Sequence, residues 1–256
     1  MVDKEQALKQ KEQYFHENKE YRRQEILLHR HLAGKYIGDL VYGANDGIIT
    51  TFAVVAGAAG ASLSPGIVII LGFANLLADG ISMGASNFLG GKSEQDYAKA
   101  QREKESWEID NLRELEVEEI REIFARKGFR GRDLERATTV VTSNREVWID
   151  TMMRDELSIV EDPDDDPKKH GFVTFGAFVI AGLFPLLPYI TPNILIGNTF
   201  ILSAIVGALT LFVVGALRTF ITTVSWVRGG FEMLLIGSST AGVAYFVGKF
   251  IEGLIK

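Results

Sequence analysis

Five stretches of this 256-residue chain are apolar over about 20 residues or more, the length needed to cross a lipid bilayer. They run from about 37 to 61, 65 to 91, 171 to 191, 194 to 218 and 229 to 251. Lipid offers no water to complete backbone hydrogen bonds, so segments of this kind are helices. Charge is concentrated before residue 37 and between Lys92 and His170. The predicted fold is therefore an all-α membrane protein with five transmembrane helices and a three-helix cytoplasmic insert between spans two and three. The expected division is an amphipathic cytoplasmic N-terminal helix over 1–36, spans one and two over 37–91, the insert over 92–170, and spans three to five over 171–256.

Positive residues collect on the cytoplasmic side of membrane segments. Lys35 precedes span one, Lys92 follows span two, Lys168 and Lys169 precede span three, and Arg218 and Arg228 bracket the connection between spans four and five. The loops 62–64 and 190–193 carry no Lys or Arg. These positions predict a cytoplasmic N-terminus and insert, with the C-terminus on the far side. The polar first segment lacks the apolar core of a secretory signal peptide. Its histidines, His16, His29 and His31, read as surface residues.

The net charge of -6 argues against a nucleic-acid partner, and the absence of cysteine removes disulfides and thiolate metal sites. There is no phosphate-cradling glycine loop, no nucleophile elbow and no HExxH. The chain therefore reads as neither a hydrolase nor a nucleotide-driven pump, and no catalytic cofactor is expected. Within the insert, Ser93 is the expected cap of a long helix to about Lys127, with Gly128 as its stop. A short helix follows from Gly131 to about Thr142. Ser143 and Glu146 form a capping-box pattern for a third helix to about Val160. The run Glu161 to Pro167 reads as a solvated acidic linker, without the spacing or glycine of a calcium loop.

Aspartates inside apolar runs are costly, about 2.5 to 3.5 kcal/mol each near the bilayer centre, and mark candidate ion pathways. Spans one and two carry Asp39, Asp46 and Asp79. Asp46 lies about nine residues past the start of span one and Met83 about eight before the end of span two, which predicts similar depths. Asp39 falls one heptad before Asp46, close to the cytoplasmic mouth, while Asn75, Asp79 and Met83 recur every four residues. A carboxylate with a thioether shifts preference from magnesium or calcium toward a later metal such as ferrous iron; ordinary packing is the other reading of Met83. Gly43 with Gly47 and Gly80 with Gly84 match GxxxG, a pattern for close helix packing, within the chain or between subunits.

In the insert, Glu105 with Glu108 and Glu116 with Glu119 form two ExxE pairs about three turns apart. On a continuous helix these four fall within a sector of about 80°, together with Glu94 and beside Leu112, Ile120 and Ile123. Carboxylates mixed into an apolar face need a cation or a proton. Met152, Met153 and Glu156 share one side of the third helix and offer two thioethers and a carboxylate to that stripe; a core edge is the plain alternative.

These residues resemble the vacuolar iron transporter family. The resemblance rests on GDLVYGANDGIITTFAVVAGAAGA in span one, FANLLADGISMGASNFLG in span two, and the insert with its ExxE pairs and TMMRDE. It implies a five-span homodimer in lipid that exchanges ferrous iron for protons. By motif it assigns Asp46 and Met83 to an intramembrane metal site, Asp39 to the entrance, and Glu105, Glu108, Glu116, Glu119, Met152, Met153 and Glu156 to a cytoplasmic metal-binding domain. Asn75 stands where some members have an acidic residue, which leaves open whether Asp79 handles protons. The donor set also accepts Mn(II), Co(II) and Zn(II). The membrane is vacuolar or a prokaryotic cell membrane. Two alternatives stand beside transport: an iron store or ferroxidase built on the insert, and an insert that only regulates or dimerises. The first is weakened because no histidine lies between Lys92 and Lys169 to complete a diiron motif.

Overall fold

The computed structural model describes residues 32–162, 164–191, 198–217 and 225–255, and every regular element among them is helical. The helices are α1 (Leu32–Gly60), α2 (Pro65–Asn111), α3 (Arg113–Arg126), α4 (Gly131–Thr142), α5 (Arg145–Asp155) and α6 (Pro167–Gly182). A 3₁₀ turn (Phe184–Leu186) then leads to α7 (Leu187–Ile190), α8 (Thr199–Leu217) and α9 (Trp226–Ile255). Five segments are long and apolar enough to cross a membrane, namely α1, α2, α6 through α7, α8 and α9, and the chain is an integral membrane protein. The expected N-terminal helix, with its three histidines, lies outside the described residues up to His31.

The chain forms two compact units, Met1–Gly84 with His170–Lys256, and Ala85–Lys169. In the first, α1 is the axis. One face of it packs Ile48, Phe52 and Ala56 against Ala181, Leu211, Met233 and Ala241. Another packs Val55 and Ala58 against Val68, Leu76, Phe178, Leu186 and Tyr189. Lipid is as apolar as leucine, so contact here depends on close van der Waals fit, which small residues permit. Both GxxxG pairs are spent inside the chain on α6. A Cβ on Gly43 would stand 2.5 Å from the Thr174 carbonyl oxygen, and one on Gly47 would collide with the Phe178 carbonyl. A Cβ on Gly80 would meet Val179, Phe175 and Phe178 side chains at 3.2–3.3 Å, and one on Gly84 the Gly171 carbonyl oxygen at 2.7 Å. The third span ends irregularly because Pro185 and Pro188 interrupt the helical ladder. The freed Pro185 carbonyl accepts from the Ser203 hydroxyl at 2.5 Å.

The second unit departs from the expected insert in several ways. Ser93 caps nothing: its hydroxyl donates to the Leu89 carbonyl at 2.8 Å in mid-helix, and α2 runs uninterrupted through it. The expected long helix instead breaks at Leu112, whose backbone (φ -125, ψ 32) leaves the helical region. Leu112 is consequently exposed rather than part of an apolar stripe. Gly128 does end α3, with φ +99 and the Phe129 N–H returning to the Phe124 carbonyl at 3.1 Å. α4 occupies its expected range. α5 is capped by Asn144 and not by Ser143: the Asn144 side chain accepts from the Glu146 and Val147 N–H groups at 3.1 and 3.4 Å. The Ser143 hydroxyl is turned back to the Val140 carbonyl. α5 stops at Asp155, short of Val160, and Ser158 takes a positive φ of 58. The acidic segment after it is pinned down: the Glu161 carboxylate accepts from Arg102 at 3.0 Å and the Asp165 carbonyl from Gln95 at 3.0 Å. The core of this unit joins Ala98 and Ile109 of α2, Ile120 and Ile123 of α3, and Trp148, Ile149, Met152 and Met153 of α5.

Gly47→Ala is expected to lower the melting temperature of the detergent-solubilised protein. Overpacking against the Phe178 backbone costs about 1–3 kcal/mol, more than the gain of about 1 kcal/mol in helix propensity. Gly176→Ala, on the same α6 but facing open space, is the control and is expected to leave it unchanged or raise it.

Candidate metal centre

Contacts to α6 set the levels of the intramembrane residues. Gly47 and Gly80 both reach Phe178, so Asp46 and Asp79, each one residue earlier, lie at one level of the bundle. Met83, one turn further along α2, falls toward the Leu32 end of α1, near the level of Gly43. Cα–Cβ bonds tilt toward a helix's N-terminus, which narrows the interval along the axis. α1 and α2 run oppositely, so Asp46 leans toward Met83 and Met83 leans toward Asp46. Met83 is half-buried and also packs against the apolar cluster around Phe178. Beside this level, Asn45 Oδ1, Asn75 Nδ2 and Thr51 Oγ1 are buried atoms without hydrogen-bond partners.

Asp39 lies at the end of this polar ladder nearest the start of α1. Its Oδ2 is 2.5 Å from His170 Nδ1, and the His170 ring packs against Tyr36 with centroids 4.7 Å apart and planes tilted by 55°. Sequence reasoning missed His170, which stands between Lys168 and Lys169 and the start of the third apolar run. A lone histidine at a membrane boundary was the only signal available.

In the second unit the two ExxE pairs sit on different helices, Glu105 and Glu108 on α2, Glu116 and Glu119 on α3. The fold around Leu112 joins them, rather than the face of one helix. Glu105 is 2 % exposed and Glu116 4 % exposed, and each leaves its Oε2 buried without a hydrogen-bond partner. Burial pushes the Glu105 carboxyl up to about 7, and the charges of Glu156, Glu108 and Glu119 add to it. Glu116 is likewise pushed up to about 7 by burial and then by Glu119, Glu105, Glu108 and Glu156. Glu156 caps the end of α5 as an exposed residue, yet shielding of its carboxyl, the charge of Glu119 and a hydrogen bond to Glu119 raise it too. Five carboxylates thus face one another across three helices.

Met152 and Met153 are 0 % and 2 % exposed, inside the apolar core on the Glu156 side of α5. Glu94 stands apart, in a groove with Tyr97, Arg102 and Glu161. Among the described residues no three His, Cys, Asp or Glu side chains converge to ligand distance. Lys104 supplies part of the missing positive charge, its ammonium 3.0 Å from Glu108 Oε2. Sequence reasoning did not single out Lys104, a lone lysine within a mixed charge run.

Carboxylates paired at one level of a five-span bundle, with a second buried cluster in the other unit, define a membrane protein that keeps acids where a cation or proton must neutralise them. The VIT family model matches residues 37–249, and the chain belongs to that family. It is 32% identical over 232 residues to the vacuolar iron transporter of Toxoplasma gondii, covering 88% of this chain and 77% of that protein. It is 32% identical over 224 residues to vacuolar iron transporter 1 of Arabidopsis thaliana, covering 86% and 88%. The vacuolar iron transporter of Plasmodium falciparum is 30% identical over 225 residues, covering 85% and 82%.

Glu105 and Glu116 bind protons more tightly in the folded than in the unfolded chain. Their contribution to stability is therefore complete below the ordinary value of 4.5 and is lost as pH rises to about 7. Thermal unfolding of the metal-free protein is expected at progressively lower temperature across that window. The Glu105→Gln, Glu116→Gln double variant is expected to flatten the pH profile.

Proposed function

We propose that this protein carries Fe(II) across a membrane out of the cytosol, in exchange for protons, with Mn(II) as a second substrate. The observation that carries the reading is the pair of buried, unpartnered carboxylates Glu105 and Glu116 in a chain that also holds Asp46 and Asp79, both half-buried, inside its spans. Relatives named vacuolar iron transporters support iron as cargo and a vacuolar membrane as the site. The Lys and Arg positions support a cytoplasmic N-terminus and insert. A homodimer is the assembly implied by the family resemblance.

In this reading the metal-binding residues are Glu105, Glu108, Glu116, Glu119, Met152, Met153 and Glu156 in the insert, and Asp46 and Met83 in the membrane. The insert captures Fe(II) from the cytosol, and metal entering at Glu105 and Glu116 releases the protons they hold near neutral pH. Buried thioethers beside these oxygens bias the donor set toward a later first-row metal, at the expense of magnesium and calcium. Within the membrane the pathway runs from Asp39 past Met83 to Asp46 and Asp79. Metal and proton compete for the carboxylates at that level. Alternation between them couples the two fluxes without covalent chemistry, as a transporter and not an enzyme. An iron store or ferroxidase is not favoured, since no histidine lies between Lys92 and Lys169 to complete a diiron centre.

Fe(II) or Mn(II) uptake into proteoliposomes under an imposed pH gradient tests this proposal. Asp46→Ala is expected to lose at least about ten-fold in rate, the equivalent of one well-formed charge contact of about 1.4 kcal/mol. Met83→Ala is expected to lose less for Mn(II) than for Fe(II), because manganese makes weaker use of sulfur. Parent-like transport by Asp46→Ala would remove the intramembrane site.

A further inference from the structure

Lys104 immediately precedes Glu105 on α2, and its ammonium lies 3.0 Å from Glu108 Oε2. Its charge also acts on Glu105 and on Glu156 at the end of α5. Neighbouring cations among the described residues have other commitments. Arg102 pairs with Glu146, Asp150 and Glu161, Lys127 with Asp155, and Arg145 with Asp110. Arg121 pairs with Glu118 and Glu135, and Arg113 stacks over Trp148. Lys104 is the cation whose charge reaches three of the five clustered carboxylates.

A lysine ammonium and a metal ion make incompatible demands on the same oxygens. The ammonium donates hydrogen bonds to Glu108, whereas a divalent ion needs that lone pair itself and is repelled by a nearby positive charge. The lysine is free to leave: its side chain is 57 % exposed and on a flexible stem, so it can swing into water without opening the core. Glu105 and Glu116, by contrast, have no alternative partner for their buried oxygens.

We propose that Lys104 is a resident counter-ion of the glutamate cluster, which holds Glu108 while no metal is bound and is displaced into solvent when a divalent cation takes those oxygens. Lys104 thereby sets the affinity of the cluster. It keeps the cluster from holding its cargo too tightly to pass on, and between loadings it offsets part of the negative charge of Glu108 and its neighbours. This inference rests on reading the cluster as a divalent-cation site.

The test is Mn(II) titration by calorimetry on the full chain in detergent, in an Asp46→Ala background that silences the intramembrane site. Lys104→Gln is expected to tighten binding about three- to ten-fold, the range for removing one exposed ion pair together with one repulsive charge. Lys104→Arg keeps the charge and grips Glu108 through a planar fork, so it is expected to match the parent or bind more weakly. Equal or weaker binding by Lys104→Gln would overturn the proposal. The Glu105→Gln, Glu116→Gln variant separates the two levels of failure. If it binds Mn(II) like the parent, the cluster is not the site and both readings fall. If it loses binding while Lys104→Gln shows no gain, only the role of Lys104 falls.

Discussion

The approach of the α6 backbone to glycines of α1 and α2 is the contact on which the membrane unit depends. At Gly43 and Gly47 the facing carbonyls of Thr174 and Phe178 occupy the space a side chain would fill. Gly80 and Gly84 receive the other flank of the same helix. Such proximity substitutes for the hydrophobic effect, which lipid does not supply. It also fixes register, because a shift of one turn in either helix would drive a side chain into backbone. Asp46 and Asp79 share a level for that reason, and Asp39 meets His170 at the end of the same ladder.

The other unit meets a different constraint, that of carboxylates kept out of water without compensation. Glu105 and Glu116 are as deeply buried as Met152 and Met153, and each has a carboxylate oxygen without a hydrogen-bond partner, which is costly. Raised proton affinity, the hydrogen bond between Glu119 and Glu156, and the ammonium of Lys104 each relieve part of that cost. Each lowers the cost of holding several carboxylates together in a poorly solvated place.

The parts of this arrangement readable in advance were those encoded by composition over long windows or by residues with a strong backbone preference. Five apolar runs announce five membrane helices because burial in lipid is additive along about 20 residues. Gly128 announces a helix stop because few other residues take its positive φ. Capping was less legible. Ser143 and Asn144 are adjacent and both are competent caps, and the choice fell to Asn144 because Ser143 already closes α4. Ser93 has the chemistry of a cap, but the turns around it are helical on both sides and leave it no N–H to satisfy. The break at Leu112 carries no proline or glycine signal at all.

The candidate site divides along the same line. Sequence alone determined which residue types are present and that carboxylates lie where a bilayer or an apolar core makes them costly, since those facts need only order and hydropathy. Helical spacing on one strand of sequence even grouped the four ExxE glutamates, although by a continuous helix that does not exist. Tertiary structure decided which groups meet. The turn at Leu112 brings α3 back so that Glu116 faces Glu105, and α6 draws Asp79 level with Asp46 and sets His170 on Asp39. Pairings of this kind join residues far apart in the chain, and their distances follow from how closely backbones pack, a property no local pattern encodes.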